Sequence, residues 1–526
     1  MLFCMLFNSI VFICAFLPVV SIVFFLLGSA SHRLAGLWLC AASIFFYGWW
    51  NYQYIGLLLV SVLFNYSVGY LVSRYVKGRR QRVAYSVLAL GVGGNLALLG
   101  YYKYAHFFLD TANQLLGANW TIAQIILPLG ISFFTFTQIA FLVDSYRGKA
   151  SEYDFVHYLL FVTYFPHLIA GPILHHSQMM PQFALKNTYR LHWPNVATGV
   201  TFFVLGLGKK VLLADMFADP THAIFGAATH GVNPMLIEAW IGALSYTLQL
   251  YFDFSGYTDM AIGISYIFNI KLPLNFNSPY KAENIIDFWR RWHMTLSAFL
   301  RDYLYIPLGG NRLGSARRYL NLMVTMLLGG LWHGAGWTFL IWGGLHGFYL
   351  VVNHGFRSFR ERIGWADGRF GHAEKIISVA VTFWAVVIAW VFFRANNLGT
   401  AMSMVRGMVG LNGISLIHSS VGIPPGLVHW LGAHGIVFLG FTPITLFTGA
   451  TMMKLMVGLA IVWFMPNTQE WLTISAGAKS VSWWPSFIVR WRPESTWTSV
   501  AMGILLGVCL LTLLSGAPSE FLYFQF

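Results

Sequence analysis

The chain is 526 residues long, 57% of them apolar and only 10% charged, where an ordinary soluble domain carries about 25% charged residues. With a mean hydropathy of +0.64, that composition excludes a water-soluble globular enzyme and places most of the chain in lipid. The net charge of +14 does not indicate nucleic acid as a partner. The basic residues lie in short clusters between long apolar stretches, which is how membrane proteins mark their cytoplasmic loops.

A helix needs about 20 apolar residues to cross the hydrocarbon core. No charged residue precedes Arg33, so the N-terminus lacks the basic flank of a secretory signal, and its apolar run is expected to stay as a membrane helix. The predicted spans in order are 8–28, 34–50, 54–72 and 83–102, with the basic loop 74–82 between the last two. Next come 122–143, 155–175, 196–208, 239–252 and 260–270. The remaining spans are 319–356, 376–393, a stretch within 427–447, 455–464 and 500–514. With 239–252 and 260–270 read together and the short, broken runs discounted, these make about 12 crossings.

Glycine and proline interrupt several of these runs, most clearly at 165–172 and from Gly329-Gly330 onward. Broken helices persist at membrane depth only where protein or a water-filled cavity satisfies the freed backbone groups. The chain is therefore expected to enclose a cavity. Residues 275–319 differ in character, with arginines and acids interleaved with Trp289, Trp292, Phe299, Tyr303 and Tyr305. Asp287 and Arg291 stand at the i,i+4 helical spacing, so this stretch reads as amphipathic interfacial helices on the cytoplasmic face. Cys4, Cys14, Cys40 and Cys509 show no metal-ligand spacing and read as small buried hydrophobes. No metal centre is expected.

An ionisable group inside a membrane segment is costly and marks a functional site by default. The run 319–356 has no Asp, Glu, Lys or Arg, yet contains His333 in Gly329-Gly330-Leu331-Trp332-His333-Gly334-Ala335-Gly336 and, later, His346. Close glycines allow a helix to break and backbone to approach a ligand. A histidine there can take a proton from a hydroxyl near neutral pH, or it can simply hydrogen-bond between helices. On one uninterrupted helix, His346 would lie about 20 Å and 220° from His333, so the two could cooperate only if the glycines fold the chain back.

Asp253 and Asp259 flank an apolar run and fit either a polar vestibule or helix caps at a break between two spans. Arg290, Arg291 and Arg301, with His293 among them, could hold the phosphates of an anionic donor or the headgroups of lipids. The sequence has no Walker loop, no GxSxG elbow and no HExxH pair.

The stretches Phe288-Trp289-Arg290-Arg291-Trp292-His293, Leu300-Arg301-Asp302-Tyr303 through Arg312, and Gly329 to Ala335 resemble the membrane-bound O-acyltransferase family, in its bacterial alginate O-acetyltransferase branch. Supporting stretches are 127–133, 165–172 and 249–259, and the closing tail 518–526 resembles endings of polysaccharide-acetylating members. The likeness covers residues 46–394, a catalytic core within one integral membrane domain spanning 1–526, with 398–526 less distinctive.

The resemblance implies an all-α polytopic fold: about 12 transmembrane helices, with re-entrant and interfacial helices, around a central tunnel (the estimate at ~20 residues per crossing). It places the active-site histidine on His333 and a polar partner on His293, with His346 a weaker candidate. Asp253, Asp259 and Trp332 would line the tunnel or its vestibule, and Arg290, Arg291 and Arg301 would bind the donor. The implied donor is cytoplasmic acetyl-CoA, with no other cofactor. The implied partners are a periplasmic hydrolase-like acetyltransferase and an exported polysaccharide, and the implied location is the bacterial inner membrane. Rival readings are D-alanyl transfer to a cell-wall polymer, a transporter, and a scaffold for polysaccharide export. A transporter is expected to show paired broken helices in two related halves, and no such repeat is apparent.

Overall fold

In the computed structural model, the residues described are 5–150, 154–169, 171–364, 371–417, 425–433, 436–439, 449–472, 495–516 and 522. Cys4, residues 434–435 and 440–447 of the stretch 427–447, and all of the tail 518–526 except Leu522 lie outside them. Among the described residues, six helices are long and apolar enough to cross a membrane: Phe12–Ala30, Tyr52–Lys77, Gln81–Leu116, Trp193–Thr229, Gly371–Arg394 and Thr496–Leu514. Further long helices pack among them, and the all-α expectation holds. A short parallel ribbon of Ile414–Ile417 with Ile436–Leu439 is an accessory to the helical body.

Several predicted boundaries shift, each for a local reason. The 239–252 and 260–270 spans are one continuous helix, Leu236–Ile267, buried over nearly its whole length. The 83–102 span continues through a π-helical turn, Gly100–Tyr104, into Ala105–Leu116. The 122–143 span starts as a helix only at Ile131. There Gly130, at φ 68°, turns the chain so tightly that a Cβ would stand 2.7 Å from the Leu168 carbonyl oxygen. Cys14 is exposed on the outer side of the first span, while Cys40 and Cys509 are buried as expected.

Lipid tails supply no hydrophobic drive between helices, so close packing and interhelical hydrogen bonds hold them together. Helix Trp193–Gly208 runs antiparallel to Leu236–Ile267 along two glycine contacts. A Cβ on Gly199 would stand 2.5 Å from the Gly263 carbonyl oxygen, and one on Gly206 would stand 2.5 Å from that of Gly256. Elsewhere Asn65 and Asn95 exchange amide hydrogen bonds of 3.1 and 2.6 Å between neighbouring helices, and Gln138 donates to Ser61 at 3.0 Å.

The buried apolar side chains form two clusters. One is built around Phe161, Tyr257, Phe299 and Trp332, the other around Trp292, Trp342, Trp390 and Phe393. His293 and His333 lie along the seam between them, each against Trp332 of the first and an aromatic ring of the second, while His346 lies within the second.

Candidate active site

The glycine-rich run does fold the chain back. Helix Gly314–His333 ends at His333, residues 334–336 make the turn, and helix Trp337–Arg362 returns beside it. The two helices meet backbone to backbone. A Cβ on Gly330 would collide with the Phe339 carbonyl oxygen, and one on Gly343 with that of Met326. The run 319–356 is thus a hairpin rather than one span, with His333 at its tip.

Residues 285–300 are not interfacial helices. Ile285–Arg291 and Met294–Leu300 form a second, shorter hairpin whose tip, His293, is fully buried. The first arm runs along Trp337–Arg362, with Phe288 stacked on His346 and Trp289 against Trp342. The second arm returns past Phe136, which stacks on Phe299 at 4.4 Å. The charges that suggested an interface pair locally. Asp287 holds Arg291 at 2.9 Å, and Asp302 holds Arg301 at 2.7 Å, so the intervening aromatic residues can be buried. His293 makes the turn in the left-handed region, at φ 43°, which costs strain in most residues and clusters at functional positions.

The tips of the two hairpins meet. The imidazoles of His293 and His333 lie 6.3 Å apart between ring centroids. Trp332 packs on His333 at 4.9 Å, Trp342 at 5.0 Å and Phe393 at 5.2 Å. The hydrogen bonds around His293 define its tautomer. Asn275 Oδ1 accepts from the Thr295 backbone N–H at 3.3 Å, which identifies it as the amide oxygen, and also from Thr295 Oγ1 at 2.9 Å. His293 Nδ1, 3.1 Å from the same oxygen, must therefore carry the proton, leaving Nε2 with a free lone pair. That Nε2 is buried without a hydrogen-bond partner among the described residues, as are Asn275 Nδ2 and the indole nitrogens of Trp332 and Trp342. Buried polar atoms are nearly always satisfied in folded proteins. A cluster of unsatisfied ones around two histidines marks a place for a polar ligand.

His346 is also brought back toward this site, but Trp342 packs against both rings, 4.8 Å from His346 and 5.0 Å from His333. His346 stacks on Phe288 with its ring planes 11° apart, a packing position in an aromatic wall. Trp332 packs against both histidines, 4.9 Å from His333 and 6.2 Å from His293. Asp253 and Asp259 do not cap a break, because their helix has none. Asp253 pairs with Lys210 at 2.8 Å, and Lys210 also pairs with Asp215. Asp259 pairs with Lys209 at 2.6 Å and accepts from Thr468 at 2.6 Å. Both acids hold helices together, with partners that the sequence reading did not find. Of the predicted donor-binding residues, Arg290 is exposed, Arg291 is tied to Asp287, and Arg301 lies largely in solvent beside Asp302. Arg147, also missed, donates to the Asp302 carbonyl at 3.3 Å and lies over the Tyr303 ring.

With this geometry established, comparison with known proteins decides the family. The sequence profile of the MBOAT, or membrane-bound O-acyltransferase, family matches residues 20–395. This chain belongs to the membrane-bound O-acyltransferase family. It is similar to a peptidoglycan O-acetyltransferase of Helicobacter pylori, 47% identical over 445 residues, covering 80% of this chain and 82% of the relative. It is also similar to a protein named probable alginate O-acetylase AlgI from Pseudomonas aeruginosa, 42% identical over 413 residues, covering 77% and 75%. A teichoic acid D-alanyltransferase of Bacillus subtilis is more distant, 28% identical over 280 residues, covering 51% and 69%. The protein is a multi-pass O-acyltransferase, and in this member of the membrane-bound O-acyltransferase family the paired hairpin tips are the candidate catalytic centre.

Proposed function

We propose that this acyltransferase takes acetyl from acetyl-CoA at the cytoplasmic face and transfers it, within the inner membrane, toward O-acetylation of an exported or cell-wall polysaccharide, together with a periplasmic hydrolase-like partner. The observation that carries the reading is the buried meeting of His293 and His333 amid unsatisfied polar atoms. Relatives of 47% and 42% identity named as acetylating enzymes favour acetyl over D-alanyl transfer, whose named relative matches only half of the chain.

His333 removes the proton from an acceptor hydroxyl as that oxygen attacks the thioester carbonyl. The tetrahedral intermediate collapses, expelling CoA thiolate, which takes the proton back from the imidazolium. His293, its lone pair directed by Asn275, accepts a hydrogen bond from the acceptor or the imidazolium. The aromatic walls exclude water that would otherwise hydrolyse the thioester.

The direct test uses protein purified into nanodiscs, with acetyl-CoA as donor, oligosaccharides from alginate or peptidoglycan as acceptors, and CoA release as the readout. Acceptor-dependent CoA release supports the reading, and its absence with every acceptor, in an assay that also contains the periplasmic fraction of the source cell, refutes it. If Arg290, Arg291 and Arg301 contact CoA phosphates, charge reversal of all three raises the acetyl-CoA KM at matched protein level. A lipid-anchoring role instead lowers insertion and leaves the KM of the surviving protein unchanged.

Topology provides a second check. The basic loop around Gly78 and the start of helix Gly314–His333 belong on the cytoplasmic side. Cysteines at Gly78 and Ser315 are expected to react with an impermeant thiol reagent in inverted vesicles and not in spheroplasts. Labelling of both from outside would reverse the orientation, and with it the donor side.

A further inference from the structure

The last four carbonyls of a helix have no intrahelical partner, and leaving one unpaired in an apolar interior is costly. In helix Gly314–His333 all four are accounted for. Gly330 O accepts from the Gly334 backbone N–H at 3.3 Å. Leu331 O accepts from Tyr104 Oη at 2.9 Å. Trp332 O and His333 O both accept from Lys103 Nζ, at 2.5 and 3.3 Å. Lys103 directs its third proton to Ser132 Oγ at 3.2 Å, so an ammonium with three donors meets three acceptors. Adjacent side chains reach consecutive carbonyls from the π-helical turn Gly100–Tyr104, a deviation that recurs at functional sites.

We propose that Lys103 and Tyr104 are positioning residues for the acyl transfer, clamping the end of the helix that carries His333. The proposal rests on the reading of His333 as the base. The clamp acts in two ways. It holds the backbone of residues 331–333, and with it the origin of the imidazole, against Ser132 at the start of a different helix. It also sets a positive charge against the negative end of the helix dipole, so that this end does not favour the imidazolium over the neutral base.

The test compares Lys103→Met, Lys103→Arg and Tyr104→Phe with wild type in the CoA-release assay on purified protein. Because a misplacement of ~1 Å can cost 10²-fold in rate, Lys103→Met is expected to lower kcat at least about tenfold. Donor KM is expected to stay near wild type while the thermal midpoint falls, because Trp332 O and His333 O lose their donor, and Lys103→Arg, which keeps charge and donors, is expected to restore most of the rate. A purely structural lysine predicts lower yield and melting temperature with an unchanged kcat in the folded fraction. Lys103→Met with at least half of wild-type kcat, or an arginine variant as slow as the methionine one, overturns the proposal. Should Lys103→Met fail to insert, Tyr104→Phe decides, since it removes a single hydroxyl. A several-fold fall in kcat at constant KM supports the clamp, and wild-type kcat overturns it. His333→Asn is run alongside. If that variant turns over, the histidine reading itself falls, whereas a dead His333→Asn beside a normal Lys103→Met removes only the clamp.

Discussion

Replacing His333 with Asn is expected to lower turnover about 10²–10⁴-fold, the usual contribution of a general base, while melting temperature and membrane insertion stay near wild type. Asparagine keeps much of the volume and a hydrogen-bonding group but cannot accept a proton near neutral pH. His293→Asn makes the companion measurement, because asparagine tolerates the left-handed backbone found there, keeps an N–H donor that can face Asn275, and removes the ring with its Nε2 lone pair. Its loss is expected to be smaller than that of His333→Asn, and His346→Asn, which alters an aromatic wall, smaller again. Retention of more than about a tenth of wild-type turnover by His333→Asn, well outside the range for a lost base, would show that His333 is not the base. If His293→Asn were then the dead variant, the proton would be leaving through the nitrogen that Asn275 orients.

The second large effect is structural and should look different. Gly330→Val and Gly343→Val each place a side chain against backbone of the opposing helix, where nothing can rotate away. The hairpin that carries His333 can accommodate either only by separating. Overpacking of this kind costs about 1–3 kcal/mol or more, so both variants are expected to melt several degrees lower and to lose activity in step with stability. Gly344→Ala is the control: its Cβ would stand 3.6 Å from Leu327 Cδ2, an ordinary contact, and it should behave as wild type. Normal melting of Gly343→Val would mean that the two helices are not packed backbone to backbone.

His333 was legible in the sequence because it stood in a long run without formal charge and with glycines on both sides, and the fold-back on which any role for His346 depended is the turn at 334–336. Its aromatic screen, Trp342, lies on the returning helix, and only the fold-back makes it face both rings. Asp253 and Asp259 were misread because their partners, Lys209 and Lys210, lie at the end of another apolar run some fifty residues earlier, and only tertiary packing joins them. Residues 285–300 looked interfacial because their charges do lie toward the surface, while the burial of Trp289, Trp292 and His293 between them left no mark on the spacing. Asp287 with Arg291, and Asp302 with Arg301, neutralise one another within a turn or less, and the tryptophans between them turn inward. Lys103 was missed for a simpler reason. It stood one residue beyond a span that seemed to end at Tyr102, and a π-helical turn carries the helix on to Leu116. Nothing in spacing links Lys103 to carbonyls about 230 residues away.

On the function proposed above, this membrane-bound O-acyltransferase acetylates an envelope polysaccharide through His333. Its most direct test is the ester-linked acetyl content of the exported polysaccharide and of peptidoglycan from a deletion strain, complemented with wild type or with His333→Asn at equal protein level. Acetyl missing from one of these polymers, restored by wild type and not by His333→Asn, is the expected result. Unchanged acetyl content of both polymers in the deletion strain, or full restoration by His333→Asn, would contradict it.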